Sequence, residues 1–130
     1  MYLLDTNICI ALLKENRNAI KQFSLYFSQC YLSAIIASEL YKGIYCSKQV
    51  DKNLEAVTEF IELLPVESFD LEAAVEFGII QGELRKVGKP TGEIDVLIAG
   101  VAHSRGDILV TNNIKDFENI TNLQLENWLE

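Results

Sequence analysis

The chain has 130 residues, enough for one domain whose core needs neither disulfides nor a structural metal. Hydrophobic residues make up 49%, which excludes a disordered chain, and no apolar run is long enough to span a bilayer. The formal charge of −8, from 19 acids against 11 bases, is unfavourable for nonspecific nucleic-acid binding and fits a chain that holds cations or meets a basic partner.

The three cysteines, Cys9, Cys30 and Cys46, form no C-x-x-C pair and read as reduced thiols, and His103 is the only histidine. That leaves too few Cys and His ligands for a zinc site and no Ser–His or Cys–His nucleophile pattern. Without a basic-flanked leader at the start, the expected location is the cytoplasm.

Tyr2 to Leu4 reads as a short buried strand, followed at once by Asp5, Thr6 and Asn7. An acid in that place is costly to desolvate unless it is paired, so Asp5 either opens a site or caps the next helix. Thr6 or Asn7 can also cap that helix, expected over Ile8 to Leu13. Asn18 to Phe27 places Ile20, Phe23 and Phe27 at helical spacing. Cys30 to Leu32 is a second strand, and Ser33 caps a helix over Ala34 to Cys46. A further helix runs from Val50 to Leu63, so the two form a long hairpin that can project as a subunit contact.

Leu64 to Val66 is a third strand, and Pro65 inside it predicts an edge position. Asp70 caps a helix over Leu71 to Val87 that Gly88 ends, and Lys89 to Glu93 is a loop. The next helix, Ile94 to Ser104, stops at Gly106. Ile108 to Val110 has the continuous apolar character of a strand in a parallel sheet, and after a short turn Leu123 to Leu125 is the last strand. The alternation predicts a single α/β domain over residues 1–130, with a parallel sheet and helices on both faces.

Acids follow the strands in this scheme. Asp5 comes after the first, Glu39 lies in the helix after the second, Asp95 opens the helix before the fourth, and Thr111, Asn113 and Asp116 follow the fourth. Strands lying side by side would bring these segments to one rim. Two like charges about 4 Å apart repel by roughly 4 kcal/mol at an effective dielectric near 20, so such a cluster calls for a shared proton or a bound cation. The donors are all oxygens, with Thr6 and Asn7 as further candidates, and hard oxygen donors select Mg²⁺ or Mn²⁺. That chemistry suits phosphodiester hydrolysis. Each acid has a plainer reading too: Asp5 and Asp95 as helix caps, Glu39 on a solvated helix face, Asp116 as a loop acid no more marked than Glu118.

The segments LLDTNI (3–8), LSAIIASELYKGI (32–44), GKPTGEIDVLIAGVAHSRG (88–106), ILVTNNIKDFENI (108–120) and LQLENWL (123–129) together resemble the PIN domain, and within it the VapC-type ribonuclease toxins of toxin–antitoxin pairs. The resemblance implies a three-layer fold around a five-stranded parallel sheet. It implies a Mg²⁺- or Mn²⁺-dependent endoribonuclease with Asp5, Glu39 and Asp95 as its acids and metal ligands. The fourth position falls between Thr111 and Asp116, with Asp116 first choice and Asn113 second. A homodimer, a small antitoxin whose tail covers the cleft, and a structured RNA such as a tRNA or ribosomal RNA stem-loop also follow from the resemblance.

The chain departs from the family in carrying Pro90-Thr91-Gly92 before the third acid and in adding Glu93 as a fifth. Lys14, Lys42, Lys48, Arg85, Lys86, Lys89 and Arg105 are the candidates for phosphate contacts. Two other readings compete. One is a non-catalytic module of the same fold acting through protein partners. The other is a phosphoacceptor domain, which would want paired acids at the first strand, where this chain has a single acid followed by Thr6 and Asn7.

Overall fold

The computed structural model describes residues 1–130. In chain order the elements are β1 (Tyr2–Leu4), α1 (Thr6–Leu13), α2 (Arg17–Tyr26), a 3₁₀ turn (Phe27–Gln29), β2 (Cys30–Ser33), α3 (Ala34–Tyr45) and α4 (Val50–Glu62). They continue with β3 (Val66–Glu67), α5 (Leu71–Lys86), α6 (Glu93–Arg105), β4 (Ile108–Val110), α7 (Ile114–Phe117) and β5 (Gln124–Glu126).

The five strands form one sheet in the order β3-β2-β1-β4-β5, with every pairing parallel. Parallel neighbours need crossovers, and the helices supply them on the faces of the sheet. From β1 the chain first moves to β2 and β3, and then returns to the other side for β4 and β5. The β1–β4 pair is therefore where the winding reverses, and the crevice beyond its carboxyl ends is where such sheets place their sites. Leu4 and Val110 are in register, so Asp5 and Thr111, the residues that follow them, emerge side by side.

Leu3, Leu4, Leu32, Leu109 and Val110 are fully buried on three adjacent strands. Each such side chain contributes about 1.5–3 kcal/mol by leaving water. α6 is apolar on nearly every side, with Val96, Ile98, Ala99, Val101 and Ala102 all buried. It lies hard against α5: a Cβ on Gly100 would sit 2.9 Å from the Ala73 carbonyl oxygen. Only glycine permits that approach, and it fixes α6, and so Asp95 at its start, against the body of the domain.

Several boundaries differ from the sequence expectation for local reasons. The first helix begins at Thr6 with Asp5 as its cap, so neither Thr6 nor Asn7 plays that part. The second helix ends at Tyr26, and Phe27 to Gln29 tighten into the 3₁₀ turn. β3 is Val66–Glu67, at the sheet edge as Pro65 requires; Pro65 has no N–H to give, but its carbonyl accepts from the Leu32 N–H at 2.9 Å. Glu93 belongs to the first turn of α6 rather than to the preceding loop. The link from β4 to β5 holds the short helix α7, and β5 sits one residue later than expected, at Gln124–Glu126. Residues 45–49 at the tip of the α3–α4 hairpin are mostly exposed, while Val57 and Phe60 anchor α4 in the core.

The three thiols are free. Cys9 and Cys30 are buried and Cys46 is free and exposed. Burial pushes the Cys9 thiol far up and the Cys30 thiol up to about 12. His103 is committed to packing, with Nδ1 2.8 Å from the Glu76 carboxylate on α5 and Nε2 3.2 Å from the Thr121 carbonyl.

Candidate active site: an acidic cleft at the strand ends

Asp5 turns out to cap a helix and to sit in the site at once. One carboxylate oxygen accepts the Thr6 N–H at 2.8 Å, which caps α1. The other accepts the Thr111 hydroxyl at 2.7 Å and the Asn7 amide at 3.2 Å. These donors are neutral, and the acid is only 4% exposed. Burial raises the Asp5 pKa, the three donors pull it back, and the nearby Glu39 charge raises it further.

Glu39 is half-buried on α3 and accepts the Thr6 hydroxyl at 2.8 Å. That bond crosses from α3 to α1 and answers the solvated-face reading. Thr111 is fully buried, and its oxygen also receives the Asn113 N–H at 3.1 Å. Asn7 closes the base of the cleft by accepting the Asn112 N–H at 2.9 Å. Thr6, Asn7 and Thr111 thus fix the two acids nearest the sheet.

Asp95 is half-buried in the first turn of α6, with its carboxylate against Gly92. A helix start favours negative charge by about 0.3–1 kcal/mol. The Asp95 pKa is nonetheless raised to about 6, first by desolvation and then by the charges of Asp5, Asp116 and Glu39 in that order. Nothing acts on it in the opposite direction. Four acids, one at the cap of α1 and the others on α3, α6 and α7, therefore share one electrostatic environment.

Asp116 is exposed on α7 and lines, with Asp95, Lys115, Asn119 and the loop at Pro90 to Gly92, a polar notch of about 190 Å³. Of the two candidates for the fourth position, Asp116 is the one whose charge reaches Asp95, while Asn113 braces Thr111 through its backbone. Glu93 is exposed, and its charge is not among those acting on Asp95. No three His, Cys, Asp or Glu side chains are gathered closely enough to form a ready-made cage. Like charges repel, and the Glu39 carboxylate is held by the Thr6 hydroxyl. The donor chemistry, carboxylates with threonine and asparagine oxygens, fits Mg²⁺ or Mn²⁺, which accept a few carboxylates and keep waters of their own.

Among the candidate phosphate contacts, Arg105 is spent elsewhere. It lies 3.4 Å from Asp107 and 3.8 Å from Glu67, over the Tyr31 ring, near the start of β4 and so at the opposite rim. Lys115 was not a candidate from sequence, yet it is the cation that lines the acidic notch. Its place immediately before Asp116 was the available signal.

An all-parallel five-stranded sheet with acids gathered beyond β1 and β4 defines a PIN-type fold, and the PIN domain family model matches residues 2–123. The chain belongs to that family, and within it to the VapC ribonucleases. It is 40% identical over 128 residues to the tRNA(fMet)-specific endonuclease VapC of Salmonella typhimurium, covering 98% of this chain and 97% of that one. The structure of DNA-bound VapBC from Salmonella typhimurium superposes with a TM-score of 0.94 at 39% identity, over 98% of this chain and 97% of that one. VapBC2 of Rickettsia felis, bound to a promoter DNA fragment, gives 0.93 at 34% identity, over 98% of each chain.

Proposed function

We propose that the chain is a Mg²⁺- or Mn²⁺-dependent endoribonuclease, the toxin of a toxin–antitoxin pair acting in the cytoplasm, with Asp5, Glu39, Asp95 and Asp116 as its working acids. The observation that carries this reading is geometric: Asp5 and Glu39 are joined through Thr6 beyond the end of β1, and Asp95 and Asp116, from distant parts of the chain, line one notch. A divalent ion at these oxygens would lower the pKa of a water and neutralise charge on the scissile phosphate.

The chain's own residues would do the rest. Asp5, held from both sides by Thr6 and Thr111, presents a fixed carboxylate. Glu39 is steadied by the Thr6 hydroxyl. Asp95, at the start of α6, and Asp116 on α7 line the same notch, one before β4 in the chain and the other after it. In-line hydrolysis would leave a 5′-phosphate and a 3′-hydroxyl.

The relatives support a structured RNA, such as a tRNA or ribosomal RNA stem-loop, since the Salmonella typhimurium protein is named as a tRNA(fMet)-specific endonuclease. The solved relatives are VapBC assemblies, which supports a small antitoxin as partner. A groove of about 380 Å³ between α1, α3 and α4, lined by Ile10, Leu13, Leu40, Ile44 and Val57 and reaching Glu39, would seat an apolar antitoxin segment next to the acids. A homodimer completes the reading, and the exposed Leu71, Val75 and Ile79 on one face of α5 suit a subunit contact.

The test is cleavage of total RNA by the purified chain, with fragment ends sequenced. Cutting with Mg²⁺ or Mn²⁺, silence in chelator and 5′-phosphate ends are expected. Cleavage that persists at full rate in chelator refutes the metal assignment. No cleavage together with no divalent-ion binding favours a non-catalytic module.

A further inference from the structure

The notch that holds Asp95 and Asp116 does not stand alone. It shares Pro90 and Thr91 with a neighbouring notch that Arg85 and Gln81 line. It shares Lys115 and Asp116 with another, bordered by Asn112, Asn113 and Asn127. The three adjoin in a row, a furrow that runs from the end of α5, past Asp95 and Asp116, to the loop after β4.

No hydrophobic residue lines the central notch, and Leu84 and Ile114 are the only ones in its neighbours. A protein partner seeking an apolar anchor has the separate groove at Ile10 and Leu13. The furrow instead offers two cations and several amides beside its acids. Arg85 and Lys115 are exposed and take part in none of the ion pairs of the fold, which involve Met1, His103 and Arg105. They are the two cations along a furrow whose carboxylates are Asp95, Asp116, Glu118 and Glu130, so a phosphate entering it has these two groups to hold it. Cations position phosphates, and asparagine amides can read base edges.

We propose that the furrow is the track of an unpaired RNA segment, with Lys115 at its centre and Arg85 at one end each holding a backbone phosphate. The inference rests on the ribonuclease reading and adds to it the direction of the strand's path and the residues that grip it. A recessed acid such as Asp5 favours an unpaired segment, because a splayed strand can enter a cleft that a paired helix spans from outside.

The experiment is anisotropy of a labelled, unstructured RNA bound to the full chain in chelator, where hydrolysis is stopped, over a range of salt. Arg85→Ala and Lys115→Ala should each weaken binding several-fold and lower the slope of log K against log salt by about 0.7, the value for one phosphate released from a single strand. Lys115→Arg should retain the wild-type slope, and Lys21→Ala on α2 should change nothing. Mn²⁺-induced thermal stabilisation should survive in both alanine variants, which a general loss of structure would not allow. Wild-type affinity and slope in the double alanine variant overturn the track. Equal binding of the same sequence as a duplex overturns the unpaired segment. A wild-type chain that binds no RNA in chelator yet cleaves it with Mn²⁺ overturns the track alone; one that neither binds nor cleaves overturns the ribonuclease reading and the track with it.

Discussion

The two ends of the sheet carry the same kind of residue to opposite ends. Asp107 stands just before β4 and Asp5 just after β1, and both are nearly buried, at 9% and 4% exposure. Asp107 receives the Met1 ammonium at 3.0 Å, the Tyr31 hydroxyl at 2.7 Å and the Arg105 guanidinium at 3.4 Å. Asp5 receives only neutral donors and faces other acids. A buried acid with cations around it fastens elements together. A buried acid without them is costly to the fold and is retained for what it can bind. Burial alone would not distinguish the two; the charge of the neighbours does.

The largest expected effect falls on the unpaired rim. Asp95→Asn and Asp5→Asn should each lower the RNA cleavage rate by at least about a hundredfold, since charge stabilisation by a held ion is worth several kcal/mol and each 1.36 kcal/mol is tenfold. The fold should persist, because Asp95 takes part in no bond that opposes its raised pKa. Asp107→Asn should do the reverse, lowering the melting temperature while each folded molecule keeps its cleavage rate. If Asp107→Asn silences a folded chain, the division between the rims is wrong.

The pH dependence comes next. The folded chain holds the Asp95 proton up to about pH 6, against an ordinary value of 3.8. Protonation therefore favours the folded state, and stability in chelator should fall as pH rises from about 4 to 6, with no further loss from this group above that. Asp95→Asn should flatten that part of the curve in thermal melts. Mn²⁺ should reverse the trend, since it competes with the proton: at a hundred times its dissociation constant a ligand adds about 2.7 kcal/mol, and here only once the acid is ionised.

Thr111→Val is expected to cost about tenfold in cleavage. It removes the 2.7 Å donor that pulls the Asp5 pKa down while keeping the side-chain shape. The Asp5 pKa should rise further, so the alkaline shift of the rate profile, read against the wild type, separates this cause from simple misfolding.

Much of this was legible in the residues. The apolar strands, the cap at Ser33, the stop at Gly106 and the edge position of β3 each follow from local chemistry, and the structure has all four. Asp5 could not be resolved as cap or site member because each role uses a different oxygen of one carboxylate. The sequence reading includes Arg105 among the phosphate contacts and omits Lys115 for a related reason. Both are single cations near acids in sequence, and only the sheet's direction puts one with Asp107 and the other with Asp95. Glu93 looked like a fifth acid of the cluster, but one helical step of about 100° from Ile94 and two from Asp95 turns it to solvent.

The smallest effect tests the paired rim most cleanly. Tyr31→Phe keeps the ring under the Arg105 guanidinium, 4.9 Å from its centroid, and deletes only the 2.7 Å bond to Asp107. A buried hydrogen bond to a charged group contributes about 1.5–3 kcal/mol, so denaturant unfolding should show a loss in that range. β1 and β4 have three residues each, so the two rims are about 10 Å apart. At that distance the Asp107 end can loosen while Asp5 and Thr111 keep their register, and cleavage by the folded chain should be unchanged. A lower cleavage rate with intact secondary structure would mean that the clamp at one end of these strands sets the spacing of the acids at the other, and the two rims would then have to be treated as one device.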